Sequence, residues 1–213
     1  VTGELTGRTS PVADLKEKDI PYYGVKEAVF PFNMFQEVDP VLGPEMRSTG
    51  EVLGLSKFYG EAFFKAQEAT KTELPLSGKV LISVHDKDKE EMLEVAKDFV
   101  ATGFELLATK GTHKALEAAG IKAECVNKLN EGRPDIYDLI TNGEIALIIN
   151  TPIGADGVTD DSYLRKAAIK KKVPYITTIA AAKATASGMI SMGKPGCGEV
   201  KSLQELHAEI KDK

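Results

Sequence analysis

Five short apolar segments in the second half of the chain each end in side chains suited to holding an anion. Ser83 follows VLI, Thr109 follows ELLA, Asn127-Lys128 follow AECV, Asn150-Thr151 follow ALII and Thr177-Thr178 follow PYI. A phosphate needs backbone N–H groups, hydroxyl donors and one or two cations held rigidly near a helix start. The stretch Thr109-Lys110-Gly111-Thr112 offers two hydroxyls around a glycine that lets the backbone approach closely. Lys89 lies at the start of the helix expected after Ser83, and Lys128 closes the third segment. Taken singly, threonine and glycine at a helix start are ordinary capping chemistry, and lone lysines are ordinary surface charge. Their recurrence at successive strand ends is what points to one shared site. Asn150 and Asp161 bracket the loop TPIGADGVTD and bring amide, carbonyl and carboxylate groups suited to a sugar hydroxyl or a base. His85, His113 and His207 have no partners at metal or triad spacing, so no catalysis is assigned to them.

The elements that must position these groups follow from the apolar pattern. Strands are predicted over 79–84, 104–108, 124–126, 145–149 and 175–177, with helices over 88–102, 112–119, 135–141, 161–171, 180–192 and 202–211. The 88–102 helix carries Met92, Ala96, Phe99 and Val100 at the spacing of one buried face. Gly120 stops the second helix and Pro134 opens the third. IALII reads as a central strand buried on both faces, and acids lead and lysines end the 161–171 helix, matching its dipole. Alternating β and α at this interval predicts an α/β fold with a doubly wound, five-stranded parallel sheet. The carboxyl ends of parallel strands share one edge, and that edge is where ligands bind.

Residues 1–72 lack this rhythm. Pro11, Pro21, Pro31, Pro40 and Pro44 exclude long regular elements. A strand over 26–30, a tight loop over 40–47 and a helix over 61–70 are expected there. The polar KTELPLSGK segment separates this part from residues 73–213. With a net charge of −5, the chain as a whole is unsuited to nucleic acid. No apolar run approaches a membrane span, and residues 1–19 lack the apolar core of a signal peptide. Cys125 is expected in the core and Cys197 in a glycine-rich loop; neither forms a metal or redox pattern, which fits a reducing, cytoplasmic setting. A first residue of valine points to a fragment.

Several motifs carry a family resemblance. PYYGVKEAVFPFNMFQEVDPVLGPEMRSTGEVLG resembles the end of the second ATP-grasp unit in the carbamoyl phosphate synthetase large-subunit family. GFELLATKGTHKALEAAGI, VNKLNEGRPDIYDLI and IINTPIGADGVTDDSYLRKAAI resemble its carboxy-terminal regulatory domain, which has a methylglyoxal-synthase-like, Rossmann-like fold. The resemblance covers about residues 8–211. GPEMRSTGE and NKLNEGRP are its specific parts, whereas ATKGT is shared across the wider fold superfamily. It implies a partial ATP-grasp tail over 1–72, then an allosteric domain over 73–213. The family's enzyme is an ATP-dependent ligase using Mg2+ or Mn2+ and K+, working with a glutaminase small subunit in an oligomer for arginine and pyrimidine synthesis. The nucleotide-binding body of the ATP-grasp unit and its metal carboxylates have no counterpart in these 213 residues. The fragment alone is therefore expected to need no cofactor and to be non-catalytic.

The resemblance also assigns roles. Lys89, Thr109, Thr112 and Lys128 match positions that hold the phosphate of UMP or IMP, and Ser83, Asn150, Thr151 and Asp161 fall at or beside those for ribose and base. Pro152 departs from the threonine of well-known bacterial members and removes a hydroxyl and an N–H. Glu27, Tyr175 and Thr177 match positions for ornithine, between the regulatory domain and the ATP-grasp tail. Other readings compete. A methylglyoxal synthase would need an aspartate–histidine set beside the phosphate site. An IMP-cyclohydrolase-like enzyme would need a lysine- and histidine-bearing segment where NKLNEGRPDIY stands. A purely structural oligomerisation module would bind no phosphate ligand.

Overall fold

The computed structural model describes residue 7 and residues 17–34, 42–129, 131–151, 158–194 and 197–212. Strands β1 (Lys18–Asp19), β2 (Tyr23–Val29) and β3 (Gly50–Ser56) precede helix α1 (Tyr59–Ala69). The regular part then runs β4 (Lys79–Ser83), α2 (Lys89–Ala101), β5 (Glu105–Thr109), α3 (Lys110–Ala118), β6 (Glu124–Val126), α4 (Ile136–Thr141) and β7 (Leu147–Asn150). It closes with α5 (Val158–Lys170), β8 (Tyr175–Ile176), α6 (Ile179–Met192), α7 (Leu203–Ala208) and β9 (Lys211–Asp212).

Strands β4 to β8 form the expected five-stranded sheet, in the order β6-β5-β4-β7-β8, with every pairing parallel. Successive side chains of a strand point to opposite faces, and here both faces are covered. Val80, Ile82, Leu106, Ala108, Leu147 and Ile149 pack with α2, α3 and α6 through Met92, Val95, Phe99, Leu116 and Ala182. Leu81, Leu107 and Ile148 pack on the other side with Ile136 and Ile140 of α4 and Leu164 and Ala168 of α5. The chain leaves β4 towards β5 and β6, then returns to the other side of β4 for β7 and β8. The switch point therefore lies between β4 and β7, where Ser83 is in register with Asn150.

The first part of the chain is a hairpin with a helix on it. β2 and β3 pair antiparallel from Tyr23↔Ser56 to Val29↔Gly50. Gly54 makes the close packing possible: a Cβ there would stand 2.0 Å from the Ala62 carbonyl oxygen of α1. On its other side α1 meets α6 backbone to backbone, since a Cβ on Gly60 would lie 2.5 Å from the Ser187 carbonyl oxygen. β1 pairs with β9 and so ties the first part to the carboxy-terminal segment.

Several expectations need correction. The terminal helix ends at Ala208 rather than near 211, and the chain then extends into β9 to pair with β1. Val100 is 46% exposed; Val95 takes its place in the core with Met92, Ala96 and Phe99. Cys125 is exposed because β6 is a three-residue edge strand whose neighbour Val126 takes the inward position. Pro134 does not open α4. Asp135 is its N-cap, in a reciprocal box with Asp138. β3 was not anticipated, because two glycines interrupt its apolar pattern.

Candidate functional site

The carboxyl ends of β5, β4 and β7 set a row of hydroxyl and amide groups along one edge of the sheet. Ile82 is in register with Ala108 and Ser83 with Asn150, so Thr109, Ser83 and Asn150 stand side by side on adjacent strands. The Thr109 hydroxyl donates to Ser83 Oγ at 3.3 Å. Thr112, in the first turn of α3, is buried, and its Oγ1 accepts the Val84 N–H at 3.2 Å. Thr151 is also buried, and its Oγ1 accepts the His85 N–H at 2.9 Å. Both threonines thereby fix the turn that leaves β4. Because each oxygen serves as acceptor to a backbone donor, each hydroxyl proton remains to be offered to something else.

Cations surround this row. Lys89 begins α2 and reaches the first turn of α3, where its Nζ is 3.3 Å from the position a Cβ would take on Gly111. A side chain at 111 would crowd that ammonium. The same ammonium pairs with Asp86 at 2.7 Å. Lys110 pairs with Glu131 at 3.1 Å, and Glu131 also accepts the Lys128 N–H at 3.4 Å, closing the turn after β6. The Lys89 ammonium, with smaller help from Lys128, holds the Asp86 carboxyl below the usual carboxylate range. Lys110 does the same for Glu131, again with a contribution from Lys128. Lys128 therefore shares a local electrostatic field with both other lysines.

The structure thus gathers Ser83, Lys89, Thr109, Thr112, Asn150 and Thr151, with Lys128 close enough to act on Asp86 and Glu131. Pro152 and the side chain of Asp161 lie outside the described residues. The three residues assigned by resemblance to ornithine are divided. Tyr175 accepts a hydrogen bond from Asn150 Nδ2 at 2.7 Å, and the Arg165 guanidinium lies over its ring at 5.4 Å. Thr177 is half-buried just beyond β8. Glu27 instead accepts from Gln67 of α1 at 3.1 Å.

Sequence reasoning missed Asp86 and Glu131. Their only signal was that each lies three residues from a rim lysine, Lys89 or Lys128. It also missed Glu61, which is 4% exposed and accepts hydrogen bonds from Ser56 at 2.7 Å and from the Gly198 N–H at 2.9 Å. Glu61 pairs in addition with Lys65 at 2.8 Å. It borders a cavity of about 490 Å³ between β3, α1 and residues 198–209, lined by Leu53, Leu55, Phe58, Met192 and Leu206. None of the rim residues lines that cavity.

Comparison with known proteins adds a family to this geometry. Residues 91–177, which span β5 to β8, match the model of the MGS-like domain. Over 97% of its length the chain is 47% identical to the carbamoyl phosphate synthase large chain of Xanthomonas campestris. In sequence, the chain corresponds to the carboxy-terminal part of the carbamoyl phosphate synthase large chain. A 50% identical relative, the carbamoyl phosphate synthase large chain of Acidobacterium capsulatum, aligns with 98% of this chain. The Aquifex aeolicus protein described as the "C-terminal section" of that large chain is 45% identical over 94% of this chain, which covers 38% of it. The chain spans 19% of the length of the Xanthomonas and Acidobacterium relatives. Among the described residues no helix is long and apolar enough to cross a membrane.

Proposed function

We propose that the rim is an effector site for a nucleoside monophosphate such as UMP or IMP. In this reading the chain is the regulatory carboxy-terminal region of a glutamine-dependent carbamoyl phosphate synthase large chain. The observation that carries the reading is the row of Thr109, Ser83 and Asn150 at the switch point, with Thr112 and Lys89 beside it. The hydroxyls of Thr109 and Thr112 and the ammonium groups of Lys89 and Lys128 take the phosphate oxygens. Ser83, Asn150 and Thr151 serve the ribose and base. A phosphate dianion satisfies several of these donors at once, which is what a preorganised cluster of hydroxyls and cations favours.

The proposal extends to the whole protein. The rest of the large chain and a glutaminase small subunit make carbamoyl phosphate from ATP, and the rim biases that synthesis. Residues 1–72 are the tail of its ATP-grasp unit. In this reading ornithine binds through Tyr175 and Thr177 with Glu27 of the first part. ATP and Mg2+ act, in this reading, in the rest of the large chain, and no step is assigned to Mg2+ in this chain. Regulation is then a difference in effector affinity between two states of the synthase, of order 1–3 kcal/mol.

Titration calorimetry with UMP, IMP, ornithine and inorganic phosphate tests the reading. Saturable binding of a nucleoside monophosphate, weakened roughly tenfold or more in Lys89→Ala, is the expected result. No response to any phosphate ligand would leave the structural-module reading, and ATP turnover by the isolated chain would overturn its non-catalytic assignment.

A further inference from the structure

The lysine that faces the β5–α3 turn already holds an anion supplied by the chain itself. Asp86 sits in the short turn between β4 and α2, and its Oδ1 is 2.7 Å from Lys89 Nζ. The turn does not need this carboxylate. It is fixed by His85, whose Nδ1 accepts the Lys87 N–H at 3.0 Å and whose carbonyl accepts the Asp88 N–H at 2.9 Å. Nor does the pair do much for the fold. The Asp86 side chain is 88% exposed, and exposed ion pairs contribute little to stability. What the carboxylate does do is occupy the ammonium that lies over Gly111, the residue before the buried Thr112.

We propose that Asp86 is a built-in competitor for the phosphate site, holding Lys89 until an incoming phosphate takes the lysine over. This rests on the phosphate reading of the rim. A ligand must displace a carboxylate from Lys89, so weak monoanions gain little by binding. A phosphate monoester repays the exchange because its second charge and further oxygens engage Lys128 and the threonine hydroxyls together. Asp86 therefore sets both the affinity and the anion selectivity of the site. The lowered Asp86 carboxyl agrees with this arrangement, since Lys89 above all, and Lys128 more weakly, favour its charged form. Glu131 acts differently. Its carboxylate bonds the Lys128 N–H as well as Lys110, and so fastens its own loop.

The test compares wild type, Asp86→Asn, Lys89→Ala and the double variant, titrated with inorganic phosphate and with UMP at low salt. Asp86→Asn should bind phosphate and UMP roughly fivefold tighter than wild type. The gain should shrink as added salt screens the charges, and it should vanish in the Lys89→Ala background. If wild type binds but Asp86→Asn binds equally or more weakly, Asp86 positions Lys89 rather than competing for it, and only this inference falls. Tight binding by Asp86→Asn where wild type binds weakly supports it. If neither protein binds phosphate or UMP while both melt normally, the phosphate reading of the rim falls and the inference with it. Asp86→Ser, which also lacks the charge, must behave as Asp86→Asn does.

Discussion

Lys128 and Thr112 separate binding from folding at the level of single side chains. Lys128 is exposed, and in the proposed effector site it would contribute charge and reach. A hydrogen bond to a charged group is worth about 1.5–3 kcal/mol, so Lys128→Ala should weaken UMP binding by roughly tenfold or more. The melting temperature should barely move, because a surface substitution away from buried contacts typically changes stability by under about 0.5 kcal/mol. Calorimetry and thermal denaturation on the same samples check both halves. Thr112→Val should fail on both counts. Its hydroxyl is buried and accepts the Val84 N–H, so valine leaves a buried donor unpaired at a cost of about 1–3 kcal/mol. The predicted contrast is a stable weak binder at 128 and a less stable weak binder at 112. A Lys128→Ala protein that unfolded as readily as Thr112→Val would show that Lys128 is structural.

Among the elements, α1 is the one packed most closely between the hairpin and the α/β part. Gly54 and Gly60 let backbone meet backbone on its two sides. A Cβ on Gly54 would approach the Ala62 carbonyl oxygen to 2.0 Å and the Ala66 nitrogen to 2.6 Å, neither of which is a flexible side-chain end. Gly54→Ala should therefore push α1 off the hairpin and cost about 1–3 kcal/mol or more, read as a lower denaturation midpoint. Gly103→Ala is the control. Its φ of +89° strains any L residue, but no atom lies within 4 Å of its Cβ, so its loss reflects backbone strain alone. None of this packing was legible in the sequence, where two glycines in GEVLGLS only weaken a strand pattern. The sheet was legible because parallel strands buried on both faces read as unbroken apolar runs, as in VLI, LLA and LII. The rim was legible for the same reason, since strand ends of a parallel sheet share an edge whatever the loops do. Asp86 and Glu131 were hidden because a carboxylate near a lysine in sequence is ordinary surface patterning until the fold brings Lys89 to Gly111. Val100 was misplaced by one position of helical phase, and Cys125 because β6 is a three-residue strand at the edge of the sheet.

Across the whole molecule, Glu61 joins parts that are far apart in sequence. Its carboxylate bonds Ser56 at the end of β3 and the N–H of Gly198, while Lys65 bridges onward to the Glu199 carbonyl at 3.0 Å. The hairpin, α1 and the carboxy-terminal segment are thus held at one ionised group, and β1–β9 pairing ties the same two parts again. Burial alone would raise the Glu61 carboxyl. The hydrogen bonds from Lys65, Ser56 and Gly198, with the Lys65 charge, outweigh that and hold it at about 2, against an ordinary value of 4.5. A carboxyl lowered on folding stabilises the native state above its unfolded value, and that stability is lost as pH falls through the folded one. The window here runs from about 4.5 down to about 2, and linkage makes the loss of order 3 kcal/mol. Glu61→Gln should melt lower at pH 7, because it leaves Lys65 half-buried without its charge partner. It should also lose this part of the acid dependence, so that the melting curves of variant and wild type converge as pH approaches 2. A constant gap between the two proteins from pH 7 to 2 would mean that Glu61 contributes shape rather than charge. Phosphate and UMP titrations at pH 7 should be unchanged in Glu61→Gln where it remains folded, since none of the rim residues shares the cavity that Glu61 borders.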